Sequence, residues 1–186
     1  MILPGPEMKS KLHVFVYGTL KRGFPNHHQY CTGVLRICPA WLRGKLFKLT
    51  AEIPAMTVPD EDILVHGTAN AVADIEAQER FESLLRSNGT GISTSPSGGP
   101  EWGKVRGELL IFDDPQTRLP LLDSLEEFRP GRASTYVRVL VYITLPDGLQ
   151  TSAWTYIAGL GPARLEEYVG KIWNPPVECR TRGACG

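Results

Sequence analysis

The feature that most constrains this fold lies late in the chain. Val137, Val139, Val141 and Ile143 alternate with Tyr136, Arg138, Leu140 and Tyr142, the period-two pattern of a strand whose successive side chains take opposite faces. Leu145-Pro146-Asp147-Gly148 then places proline, aspartate and glycine where a tight turn wants them. Thr151 to Ile157, including Ala153-Trp154-Thr155-Tyr156, returns as a second strand. An antiparallel hairpin of this kind argues for an α+β fold over a doubly wound parallel sheet.

The remaining elements support that class. His13-Val14-Phe15-Val16-Tyr17 is apolar on both faces, as a strand in the middle of a sheet is. Leu42 to Leu49 alternates as a strand, Ile53-Pro54-Ala55-Met56 interrupts it, and Ile63 to Val72 reads as a strand or a strand entering a turn. Asp74 is placed to cap a helix from Ile75 to Arg86, with Phe81, Leu84 and Leu85 on one side and Asn88-Gly89 as its stop. The glycine- and serine-rich stretch 90–100 reads as a flexible loop without chemistry. Val105 to Phe112 is a further strand. Asp114 and Pro115 open a helix that carries Leu119, Leu121, Leu122, Leu125 and Phe128 and is ended by Arg129-Pro130-Gly131. A last helix is expected from Pro162 to Trp173, and a frayed tail from Asn174. With at least five strands and three helices in mixed order, the expected architecture is a small mixed β-barrel with flanking helices.

Bulk composition narrows the partners. The 186 residues fit one domain, 1–186, with a loose leader over 1–11 and a tail over 174–186. Twenty basic and twenty acidic side chains cancel, so nothing draws the chain to nucleic acid or an anionic membrane, and Lys21-Arg22 is an isolated pair. No apolar run is long enough to span a bilayer, and Met1 to Glu7 lacks the pattern of a secretory signal. Cys31, Cys38, Cys179 and Cys185 have neither zinc-knuckle nor redox-motif spacing, so reduced thiols, a cytoplasmic setting and no metal are expected.

Two places carry possible chemistry. Gly18 ends the first strand, and Thr19, Leu20, Lys21, Arg22 and Gly23 follow. A glycine there permits close approach of backbone to a ligand and frees amide N–H groups to point into a cleft; it also fits an ordinary strand-to-loop turn. In the helix from Pro115, helical spacing puts Asp123 and Glu127 on the solvent side and Glu126 at the edge of the apolar stripe, between Leu119 and Leu122. Partial burial raises a carboxyl pKa and makes a better base. The residues alone also allow a boundary glutamate that reaches solvent or pairs with Arg129 or Arg138.

In order along the chain, Val16-Tyr17-Gly18-Thr19-Leu20-Lys21-Arg22-Gly23, Gly107-Glu108-Leu109, Leu122-Asp123-Ser124-Leu125-Glu126 and Tyr136-Val137-Arg138 resemble the γ-glutamylcyclotransferase-like family, in its γ-glutamylamine cyclotransferase and AIG2-like branch. The resemblance implies a small mixed β-barrel, no cofactor, and release of 5-oxoproline from a γ-glutamyl amine or peptide. It implies that Tyr17, Gly18, Thr19 and Leu20 bind the glutamyl head, that Glu126 is the general base, and that Tyr136 lines the same cavity. Two departures stand out: residues 57–103 replace what is usually a short connection, and Glu127 stands where glycine commonly follows the glutamate. The expected partner is a small γ-glutamyl molecule whose leaving part the sequence does not identify; oligomeric state is open. The alternative is a non-catalytic small-molecule binding module on the same barrel.

Overall fold

The computed structural model describes residues 10–49, 53–87, 102–159, 165–168 and 172–173. In chain order they form β1 (Leu12–Val16), α1 (Pro25–Tyr30), β2 (Arg36–Leu49), β3 (Pro54–Thr57), a 3-10 turn (Asp60–Asp62), β4 (Ile63–His66), α2 (Ala71–Ser87), β5 (Gly103–Phe112), α3 (Pro115–Leu125), β6 (Tyr136–Thr144), β7 (Gln150–Ala158) and β8 (Leu165–Glu167).

β1 takes the central place that its two apolar faces require. It pairs antiparallel with β5, Val14 opposite Leu110, and parallel with β7, Val14 opposite Trp154. β2 covers the other edge of β5, and β6 forms the expected hairpin with β7, Gly148 turning at φ +84°. Trp41 of β2 meets Thr144 of β6 and closes a five-stranded mixed barrel, flanked by three helices. β3 and β8 extend the sheet from β2, and β4 from β6.

Alternation along β1 divides the core. Phe15 and Tyr17 join Leu109, Val139, Val141 and Ile143 in one buried cluster, the barrel interior. Val14 and Val16 join Leu110, Leu140 and Trp154 in a second, closed by Ile75 of α2 and by Leu119 and Leu122 of α3. Burial of each such side chain contributes about 2 kcal/mol. The helices are therefore fixed against the strand that leads into Gly18.

β2 starts at Arg36, ahead of the expected Leu42, and α1 forms where the sequence reads as polar and turn-rich; four further differences bear on the sheet edges and the site. Pro54 to Thr57 does not interrupt the sheet but pairs with β2, Leu46 opposite Met56; proline is tolerated as the first residue of an edge strand. Asn70, not Asp74, caps α2, its Oδ1 accepting from the amides of Val72 and Ala73 at 3.0 and 3.2 Å. α3 ends at Leu125 rather than running through Phe128: Glu127 takes a left-handed φ of +53°, and the Phe128 amide folds back to the Asp123 carbonyl at 2.9 Å. Where a helix was expected from Pro162, Leu165–Glu167 pairs with Phe47–Leu49 of β2, so backbone pairing overrides a short helical pattern. The loop over 90–100 and the tail from Asn174 lie outside the described residues.

Candidate active site

A cleft with about 370 Å³ of free space, its open mouth included, lies at the end of β1. Tyr17, Gly18, Thr19 and Leu20 form one wall, Glu126 stands at the end of α3, and Tyr136 comes from β6. All six candidates picked out by sequence thus line one cavity. Phe15, Val16, Ile53, Pro54 and Tyr156 complete it; none of these five is among the candidates from sequence. Tyr156 has a signal in the hairpin register, which sets it opposite Arg138.

The loop after β1 is held by side chains, carbonyls and the amides of Lys21 and Arg22, the former donating to the Gly18 carbonyl at 3.2 Å. The Thr19 hydroxyl accepts from Asn26 Nδ2 at 2.9 Å, His27 Nδ1–H donates to the Leu20 carbonyl at 2.9 Å, and Lys21 Nζ donates to the Trp173 carbonyl at 2.8 Å. The Arg22 amide donates to Glu108 Oε2 at 2.7 Å. Among the described residues the N–H groups of Gly18, Thr19 and Leu20 have no acceptor. A Cβ on Gly18 would lie 2.6 Å from Pro54 Cγ, so only glycine lets the loop pass this close to β3.

The tyrosines that line the cleft have the reverse polarity. Each tyrosine proton is committed to the protein: Tyr17 donates to the Tyr156 carbonyl at 2.9 Å, Tyr136 to the Pro54 carbonyl at 2.5 Å, and Tyr156 to Asp123 Oδ1 at 2.8 Å. What these hydroxyls offer a further ligand is oxygen lone pairs. Burial raises the pKa of all three, and the neighbouring Glu126 adds to the rise. They stay protonated at neutral pH.

Glu126 lies just past the last turn of α3, its amide still bonded to the Leu122 carbonyl at 3.0 Å. Among the described residues its carboxyl has no hydrogen-bonding or ionic partner, and Arg138 pairs instead with Asp74 and Asp123. Burial lifts its pKa to about 7. The negative end of the α3 dipole acts in the same direction. Glu127 is exposed, as expected, and accepts from the Thr135 hydroxyl at 3.1 Å. Asp123 is not solvent-facing: it is half-buried between Tyr156 and Arg138, and burial raises its pKa despite that arginine. Among the described residues no cluster of His, Cys, Asp or Glu could hold a metal ion.

A cavity lined by free amides, tyrosine oxygens and a carboxyl whose pKa is raised to about 7 suits a small molecule with both an anionic or carbonyl oxygen and an amine. The sequence profile described as γ-glutamyl cyclotransferase, AIG2-like, matches residues 14–89 and 91–174. The chain belongs to that family. Its barrel is that of an AIG2-like protein from Mus musculus, 19% identical, with a TM-score of 0.52 and 88% of each chain covered. YkqA from Bacillus subtilis is 18% identical with a TM-score of 0.51, covering 88% of this chain and 39% of its own. At these identities the likeness is one of fold. No curated protein sequence matches the chain. Within the γ-glutamyl cyclotransferase family, then, this member presents Tyr17 to Leu20, Glu126 and Tyr136 around one cleft.

Proposed function

We propose that this protein is a γ-glutamyl cyclotransferase that releases 5-oxoproline from a γ-glutamyl amine or peptide, with Glu126 as general base. The observation that carries the reading is the place of Glu126: a carboxyl without a partner among the described residues, its pKa raised by burial to about 7, in the cleft that Gly18 to Leu20 also line.

The glutamyl head enters with its α-ammonium toward the oxygens of Tyr17, Tyr136, Tyr156 and Glu126, a wall of acceptors for three N–H donors. Glu126 removes one proton, and the freed amine attacks the substrate's own γ-carbonyl carbon. A C–N bond forms in the new five-membered ring while the bond to the leaving nitrogen breaks. The proton held by Glu126 passes to that nitrogen, and the ring nitrogen then gives its second proton to Glu126, which hands it to the departing amine; that amine leaves as an ammonium and the base is regenerated. Negative charge on the γ-carbonyl oxygen is met by loop amides, fixed in place before the reaction begins. The folded conformation that the cleft imposes supplies the rest of the rate by holding amine and carbonyl together. Ile53, 44% exposed at the mouth, gives the leaving group an apolar rim.

The test is mass-spectrometric detection of 5-oxoproline across γ-glutamyl dipeptides, γ-glutamyl-ε-lysine and glutathione. Product with the wild type that falls at least a thousandfold in Glu126→Gln supports the assignment. An equally active mutant removes Glu126 from the role of base. A folded wild type that binds these molecules without product is a binding module.

A further inference from the structure

We propose that Asp123, Arg138 and Asp74 are positioning residues for the proposed reaction, a buried clamp that fixes the end of α3 and with it both Glu126 and Tyr156. The proposal rests on the reading of Glu126 as base.

Arg138 is 1% exposed, on the helix-facing side of β6. Its Nη1 donates to Asp123 Oδ2 of α3 at 2.5 Å, and its Nη2 to the Asp74 carboxylate of α2 and to the Thr68 carbonyl at 2.9 Å. The Phe128 and Trp154 rings each lie near the guanidinium, with centroids 5.1 and 5.2 Å away. Asp74 also accepts from the Thr68 amide and hydroxyl, at 3.0 and 2.9 Å. A Cβ on Gly67 would stand 2.6 Å from Arg138 Nε, so the chain before α2 is wrapped directly over the guanidinium. One side chain therefore joins α2, α3, β6 and the turn after α3.

The consequence falls on Glu126. With no partner among the described residues, its carboxyl goes where the turn at residues 126–127 puts it. That turn is held from both ends: by Asp123, whose side chain is on Arg138, and by Phe128, whose ring lies beside the same guanidinium. Asp123 reaches the cavity a second way, by accepting the proton of Tyr156 and so aiming that oxygen's lone pairs outward. Buried ion pairs contribute little net stability over apolar packing; their effect here is geometric. The segment that the sequence marks as an insertion takes part, because it supplies Asp74.

The groups facing Glu126 are Tyr17 from the loop after β1, Tyr136 from β6 and Tyr156 from β7. Asp123 and Arg138 stand behind Tyr156. A loosened clamp admits water to Glu126 and lowers its pKa.

The experiment compares wild type, Asp123→Asn and, as a barrel-interior control, Val139→Ala. An asparagine cannot accept from both Tyr156 and Arg138 on two oxygens, yet it fills the same space. Expected for Asp123→Asn is at least a tenfold fall in kcat with KM changed less than threefold, and a lower limb of the pH–kcat/KM profile moved down by half a unit or more. The control keeps the limb in place even if its Tm falls equally. Carboxyl-carbon NMR of Glu126, assigned by difference from Glu126→Gln, reads the same shift without turnover. An Asp123→Asn enzyme whose Glu126 titration and limb match the wild type overturns the clamp. If the wild type yields no 5-oxoproline, the reaction is wrong, and the NMR titration alone still decides the positioning. Should Asp123→Asn fail to fold, Asp74→Asn carries the same readouts one link further away.

Discussion

The hydroxyl of Tyr136, on β6, donates to the carbonyl of Pro54, on β3, at 2.5 Å across the cavity. Both residues are buried, so the bond fixes one lip of the cleft to the barrel wall. In Tyr136→Phe the Pro54 carbonyl is left without its donor, at a cost of about 1–3 kcal/mol. We expect urea unfolding to show that loss, and KM to rise more than kcat falls as the lip loosens.

Glu126→Gln should lose activity and gain stability. The native carboxyl has a pKa of about 7 against an ordinary 4.5, so between these values the folded state binds the proton that the unfolded state has released. Stability therefore falls as pH rises through that window, and above it the ionised group costs about 3 kcal/mol. Glutamine carries no such cost. Denaturant melts at pH 8 should find the variant more stable, and melts near pH 4 should find the two alike.

The same titration sets the rate profile. A base must be unprotonated, so kcat/KM should climb about tenfold per pH unit below 7 and level off above it. A lower limb near pH 4.5 would mean a solvated carboxylate rather than the half-buried one at the end of α3. Initial rates of 5-oxoproline formation from pH 5 to 9 check this.

Gly18→Ala tests the approach of loop to strand. The new methyl meets Pro54 Cγ at 2.6 Å, on a residue held by pairing with Lys48 and by the Tyr136 bond. The loop must shift, and its free amides shift with it. At least a tenfold loss in kcat/KM is expected, with a stability loss of about 1–3 kcal/mol in urea melts.

Much of the site was legible because its parts are local. Tyr17 to Leu20 follow a strand that announces itself by composition, and Glu126 falls at a helix edge whichever residue ends the helix. What stayed hidden depends on contacts between distant segments. Asp74 has the look of a helix cap, and nothing in its neighbours reveals that Arg138 lies across from it. Helical spacing turns Asp123 toward water, because it reflects the helix but not the strand against its polar side. Pro54 reads as a breaker because proline lacks an amide proton, a loss that does not count at the start of an edge strand. The pattern of Leu165, Tyr168, Val169 and Ile172 is helical, but too short to outweigh an open edge of β2.

The place of β1 between β5 and β7 also governs how the cleft comes into being. Tyr17 and Tyr156, bonded in the finished protein, are 139 residues apart. A chain emerging from the ribosome displays the loop after β1 early but has no far wall to set against it. Until the last hairpin arrives, an apolar strand waits with a bare edge, and closing so wide a loop is slow. Function in this barrel is thus acquired all at once and late, and the interval before it is when the nascent chain is most exposed to aggregation.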